Sequence, residues 1–588
     1  MRLTVFFVLG VSLFAQADLL VVGSGPAGLA AALEAARAGL TVTVVERNSI
    51  FGGHAVISSG GLALIGTPLQ RQRNIVDTPE IAQRDFQTWG DDAAAAWVKS
   101  YTENSKTALF DWMTAIGTEF ISVSPNGGGS SVPRFHSPRE QGIGLMVPLR
   151  RELLRFRNVE FKFNAHVIGL LVDKGRVTGV RVNNLRTNAK SELPAKNVLI
   201  ATGGFAANLE LVRASWPKSM MLPERVLVGG GFFALGEGME LVKGAGGTAG
   251  RLDHQWNYAS GLPDPFDETG RRGYFSNAFS AIWVNHIGKR FVKEQHEPKE
   301  TIPVLVERAP KGFWAVFDAE GRKGFRIVHA GFTQDRIDAI FGVPGFIKRA
   351  DSIEELAREM KTPPEELAKT VARFNQLVEE GTDADFDRFN SKSPAFFKPR
   401  KILQPPFYAA PMYILIRKSL GGINVDASCR VLTAEGHPVP GLYAAGEATG
   451  FGGINGKNGI EGAFLGPSLY MGRIAAQTVA ASMSAKPAEP GPKVNIEAPA
   501  TKPEMAASCR VCHDIPKLTS QKRGGYWHFE ESHKIVQQRG LNCTVCHAEM
   551  APYKMETHKI DRGLQTQACK NCHVNPAMTR PVFAIPRQ

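Results

Sequence analysis

Three things are scarce in this 588-residue sequence, and each scarcity excludes a class of protein. Apolar runs are short: after the first residues, none reaches the ~20 residues that a membrane-spanning helix requires. Cysteine is nearly absent from the main body. Of seven cysteines only Cys429 lies outside the C-terminal segment, so the body holds no disulfide framework. Blocks of like charge are also missing. The net charge is +13, but Lys and Arg are scattered. That excludes the basic tracts with which nucleic acid is bound. It leaves a solvated basic surface, or one that attracts acidic redox partners or anionic lipid.

What is present is a soluble, globular composition, 43% hydrophobic and 21% charged, in a chain too long for one ordinary core. Two or three domains are expected. The 60 glycines point to many tight turns and close backbone approaches, as nucleotide-binding folds need. The N-terminus has a basic residue, Arg2, an apolar run over residues 5–14, and Ala15-Gln16-Ala17. This is the layout of a signal peptide with an A-x-A cleavage site. Residues 1–17 are expected to be removed, leaving an exported, periplasmic, soluble protein that starts near Asp18.

The remaining six cysteines fall in three C-x-x-C-H motifs: Cys509, Cys512 and His513; Cys543, Cys546 and His547; Cys569, Cys572 and His573. This is the attachment signature of c-type haem. The thiols bond the haem vinyl groups, and the following His ligates iron. Zinc pairs two C-x-x-C units into one site, and three units fit that poorly. Three spare histidines, His528, His533 and His558, match three haems as second axial ligands; Met550, Met555 and Met578 compete for the role. Residues 505–588 are therefore expected to fold around cofactors, with little regular structure. Residues 484–504, rich in Pro and Ala, are expected to be a linker.

The body opens with an apolar strand, then Gly23-Ser24-Gly25-Pro26-Ala27-Gly28, then an Ala-rich helix, then a second strand ending in Glu46-Arg47. In this context G-x-G-x-x-G binds a dinucleotide. Gly23 permits the turn, Gly25 lets the backbone approach a pyrophosphate, and Gly28 allows close helix–strand packing. The helix N-terminus stabilises phosphate charge, and Glu46 is placed to accept from a ribose hydroxyl. More strand ends belong to the same sheet: Ala201-Thr202-Gly203-Gly204 and Gly441 through Gly446-Glu447. Gly466-Pro467-Ser468-Leu469 opens a late helix. Elements so far apart in sequence suit a long FAD.

These segments, with Gly52-Gly53-His54, Ser59-Gly60-Gly61 and the stretch from Val284 through Lys289-Arg290-Phe291 to Glu294, resemble one family over residues 18–480. It comprises the flavoproteins of fumarate reductases and succinate dehydrogenases, together with 3-ketosteroid dehydrogenases and urocanate reductase. The resemblance implies a Rossmann-like α/β FAD-binding domain interrupted by an α+β capping domain. The implied layout is 18–204 and 401–483 for FAD binding, with 205–400 containing the cap. Residues 353–360 and 364–380 are expected to be helices there. A haem-bearing segment on such a flavoprotein resembles the flavocytochromes c, many of which reduce activated C=C bonds and take electrons from a membrane-associated quinol cytochrome. His54 stands where succinate dehydrogenases attach FAD covalently. Covalent linkage and a hydrogen bond near the flavin are both open.

The pattern breaks at three places. The proton-donating Arg of fumarate reductases is replaced by Pro298, beside Lys299. A substrate-binding His is replaced by Lys418, and a second carboxylate-binding Arg by a position near Gly459. A dicarboxylate needs two cationic clamps and reduction needs a poised acid, so fumarate itself is not expected. Tyr258 and Tyr274, with His254, Arg271 and Arg272, are the alternative candidates to face flavin and substrate. The resemblance to ketosteroid enzymes implies tyrosine hydroxyls that move protons and a backbone N–H, here at Gly459, that holds a carbonyl. The expected function is haem-to-FAD electron transfer with reduction of an activated C=C bond. The alternatives are a dehydrogenase that uses the haems as electron exit, and an electron-transfer module without catalysis.

Overall fold

The apolar run of the first strand is buried on both faces, as a central parallel strand must be. In the computed structural model, Leu19–Val22 pairs with Val42–Val45 on one side and Val198–Ile200 on the other, both parallel. The sheet extends to Val159–Lys162 beyond the former and to Pro438–Ala444 and Arg430–Leu432 beyond the latter. The structure describes residues 16–492, apart from 49–50, 186–187, 232, 268, 279, 295, 328–333, 391–398 and 485; for residues 57 and 336 it describes the backbone alone. The three C-x-x-C-H motifs, the candidate ligands His528, His533 and His558, and the expected signal cleavage at 1–17 (save its last two residues) lie outside the described residues.

Helix Pro26–Arg37 follows the first strand at once, with Pro at its first turn, where a missing N–H costs nothing. Its small residues let helix Leu465–Ala481 approach closely: a Cβ on Gly472 would lie 2.1 Å from the Ala27 carbonyl oxygen. Cys429, fully buried in the same core, behaves as a small apolar residue. Residues 486–491, the start of the expected linker segment, run along this domain. Ala488 N donates to Arg37 O at 3.1 Å and Gly491 N to Arg155 O at 2.8 Å.

A second, eight-stranded sheet is organised by the long strand Phe407–Ser419. It pairs with Gln255–Pro263, Phe313–Phe317, Val226–Val228 and Lys348–Ala350. Helices Ile353–Met360 and Pro364–Glu380 form where the sequence places them. Ser352 caps the first and Gly381, at φ 73°, ends the second. They bury Leu356, Leu367 and Phe374 against Val316 and Ala409 in a core of their own. Among the described residues no helix is long and apolar enough to cross a membrane.

Candidate active site

A long cleft runs from the turn after the first strand to the end of strand Phe407–Ser419. Gly23, Ser24, Gly25, Pro26, Ala27, Glu46 and Arg47 line one end. Gly53, His54, Ser59, Gly60, Gly61, Ala201, Thr202, Gly203, Glu447 and Ser468 line its course. Most residues assigned to the dinucleotide thus converge. Three assigned residues support the cleft from behind. Gly28 packs the helix: a Cβ there would lie 1.9 Å from Gly23 O. Gly446, at φ 74°, turns the chain against Ala27 and Ser468. Leu469 is a core residue.

The cleft fits a flavin dinucleotide on three observations. A Cβ built on Gly25 or Gly203 meets nothing within 4 Å, so both backbones face open space. Thr202 Oγ1 is buried with no hydrogen-bond partner among the described residues. Glu46 accepts from Ser24 N and Oγ at 2.8 and 2.7 Å and from Asn48 N at 2.8 Å, which holds its carboxylate at the end of its strand. Burial pushes that carboxyl up, against these three donors. Arg47 is held by Glu237 at 2.6 Å and lies over the Phe233 ring.

At the other end, strand Phe407–Ser419 is irregular. Trp256 pairs with Lys418 but Asn257 pairs with Ile416, so Arg417 is an extra residue in a bulge. Successive strand residues ordinarily point to opposite faces; the bulge brings both Arg417 and Lys418 to the cleft. Lys418 Nζ is 3.0 Å from His54 Nδ1 and 3.6 Å from Glu447 Oε2. Burial pulls its pKa down and the Glu447 charge opposes this. Arg417 lies over the Tyr258 ring and donates to Gly229 O. Tyr258 stacks on Phe275 with centroids 4.3 Å apart and donates to Glu461. Burial first, then the Glu461 charge, raises its pKa well above the ordinary value, so the phenol keeps its proton. Trp256, Phe451 and Phe464 form the apolar wall beside it.

Of the seven candidate residues, only Tyr258 and Lys418 line this cleft, and Arg271 donates instead to Ala207 O at 3.2 Å. Tyr274 is 1% exposed and donates to Asp264 Oδ2 at 2.5 Å, with Arg272 over its ring. Both serve a buried polar network, because Asp264 needs those donors. His254 is buried between Asp92, at 2.7 Å, and Asp253, at 2.9 Å. Gly459 accepts Trp89 Nε1 on its carbonyl at 3.1 Å, and a Cβ there would meet Phe464 at 2.8 Å. Pro298 begins helix Pro298–Arg308, and Lys299 is bound to Asp91 at 2.7 Å. Sequence reasoning missed Arg417, Glu461 and Glu297. A charged pair next to the Gly-Gly turn was the only available signal for the first.

The FAD binding domain family matches residues 18–465. The chain belongs to that family. It is an FAD-binding oxidoreductase. It is 31% identical over 470 residues to a fumarate reductase (cytochrome) of Shewanella frigidimarina, covering 79% of this chain and 77% of the relative. It is 30% identical over 545 residues to a KsdD-like steroid dehydrogenase of Mycobacterium tuberculosis, covering 79% and 96%. The open conformation of a flavocytochrome c3 fumarate reductase superposes with a TM-score of 0.65 at 26% identity, over 79% of this chain and 78% of that one. The α/β architecture of the FAD-binding family is thus established.

Proposed function

We propose that this protein is an exported, periplasmic flavocytochrome c that reduces an activated C=C bond with electrons delivered by three C-terminal c-type haems. It is an FAD-dependent oxidoreductase acting on CH–CH bonds. FAD supplies the hydride chemistry when bound. The chain's own residues bind and orient the substrate and move its proton. The observation that carries the reading is Tyr258: a half-buried, protonated phenol lining the cleft beside Lys418 and Arg417. Tyr258 is the proton donor, and the two cations polarise the electron-withdrawing group.

Fumarate is not the substrate in this reading. Arg417 and Lys418 are consecutive, ~3.8 Å apart at Cα, rather than clamps at opposite ends of a dicarboxylate. Both are also engaged with protein groups. Electrons would arrive through three haems attached at Cys509, Cys512, Cys543, Cys546, Cys569 and Cys572, with His513, His547 and His573 on iron and His528, His533 and His558 opposite. A membrane-associated quinol cytochrome is the donor; nucleic acid is not a partner. The capping region lies within residues 205–400.

One observation favours a second reading. The apolar wall of Trp256, Phe451 and Phe464 suits a large apolar ketone. A steroid-like dehydrogenase would then send electrons out through the haems.

The test is an anaerobic spectrum of protein exported from a host with cytochrome c maturation. Dithionite is expected to develop c-type haem bands equivalent to three haems per flavin, and an enone or enoate to bleach them. Haem reduced by a saturated ketone instead would favour the dehydrogenase. A flavin spectrum without haem bands would sink the flavocytochrome reading.

A further inference from the structure

Tyr258 is the inner end of a line of acidic groups. Its hydroxyl donates to Glu461, which also lines the cleft. The Glu461 carbonyl accepts from Asn126 Nδ2 at 2.6 Å. Two residues on, Gly128 N donates to Glu297 Oε1 at 2.6 Å. One short loop therefore holds both glutamates. A Cβ on Gly128 would lie 2.5 Å from Glu297 Cδ, so only glycine lets the carboxyl come this close. Glu297 is half-buried and reaches the surface side of this line. Burial, then the charges of Glu461 and Glu300, push its carboxyl up to about 7, with the Gly128 amide opposing. The other charges that face the line are Arg417 and Lys418 at the cleft end. Two interacting carboxyls, one poised near neutrality, share and pass a proton.

We propose that Glu297 and Glu461 form a proton relay that recharges Tyr258 during substrate reduction. The relay rests on the reading of Tyr258 as proton donor. In the balanced step one alkene carbon takes a hydride, with its electron pair, from reduced flavin. The adjacent carbon takes the Tyr258 proton. The Glu461 carboxylate takes a proton from Glu297 and passes it to the phenolate, and Glu297 takes one from solvent.

The experiment uses the full-length holoprotein with Glu297→Gln, Glu461→Gln and Glu297→Asp. Glutamine keeps an oxygen for Gly128 N and for Tyr258, so folding is preserved. Each glutamine variant is expected to lose about 100-fold in kcat with KM unchanged. The wild-type fall in kcat above about pH 7 disappears in Glu297→Gln, and Glu297→Asp regains most of the rate. Infrared difference spectra, which need no turnover, are expected to show a carboxyl deprotonating near neutrality. That signal is lost in Glu297→Gln and moves to lower pH in Glu461→Gln. Wild-type kcat, pH profile and solvent isotope effect in both glutamine variants would overturn the relay and leave the reduction reading intact. A wild-type protein that reduces no enone, enoate or steroid would overturn that reading and the relay with it.

Discussion

Lys418 Nζ lies 3.0 Å from His54 Nδ1, joining the end of the long strand to the loop that follows the dinucleotide turn. The ammonium has no acceptor capacity, so Nδ1 accepts and the neutral ring carries its proton on Nε2.

A ring in that state offers no free lone pair for a bond to flavin carbon. FAD is therefore expected to be held non-covalently. Precipitation with trichloroacetic acid should leave all yellow colour in the supernatant; a yellow pellet would show that His54 is linked.

The two tyrosines should separate cleanly. Tyr258→Phe is expected to lower kcat about 100-fold while leaving the melting temperature near wild type. Tyr274→Phe removes a donor from Asp264, whose side chain is 0% exposed. It should cost about 1–3 kcal/mol of stability with kcat unchanged. Steady-state kinetics and thermal melts on the same preparations decide, and a large kcat loss in Tyr274→Phe alone would contradict the assignment.

Gly28→Ala puts a methyl 1.9 Å from the Gly23 carbonyl oxygen. The helix must move off the strand, which is expected to cost about 1–3 kcal/mol and to open the phosphate turn. The flavin-to-protein absorbance ratio should fall together with the melting temperature. Full flavin content at an unchanged melting temperature would show that the turn tolerates the shift.

His136 ties the strand beside the cleft to its support. Its Nδ1 bonds Arg134 O at 2.7 Å and its Nε2 bonds Thr67 Oγ1 at 2.7 Å. Burial pulls it down from 6.5 to about 4. A depressed folded value means the neutral ring is favoured. Its contribution is complete above pH 6.5 and is lost as pH falls towards 4. The wild-type melting temperature should drop faster across that window than that of His136→Gln. Parallel curves would show that the ring does not set the slope.

The dinucleotide half of the site was legible because its chemistry is local. A buried strand, a glycine turn and a helix N-terminus occupy consecutive residues, and the need for Gly at 23 and 28 follows from backbone contacts within the same unit. Helices Ile353–Met360 and Pro364–Glu380 were legible for a similar reason: apolar periodicity and caps are written within each segment. The other end of the cleft was legible only in part: Tyr258 and Lys418 line it, and Tyr274, His254, Arg272 and Gly459 do not. Tyr258 and Tyr274 sit on adjacent strands with similar surroundings in sequence, and nothing in either stretch says which hydroxyl meets a buried aspartate and which meets the cleft.

By itself, then, the sequence determined that the chain binds a dinucleotide, since contiguous residues satisfy the backbone demands of a pyrophosphate, and it carries three C-x-x-C-H motifs. Only the tertiary structure decided where protons and charge gather. A bulge between two strands turned Arg417 and Lys418 to one face. A single loop binds both Glu461, which accepts from Tyr258, and Glu297, far apart in the chain. Charge and proton affinity depend on distance and burial, and no spacing along one segment encodes either.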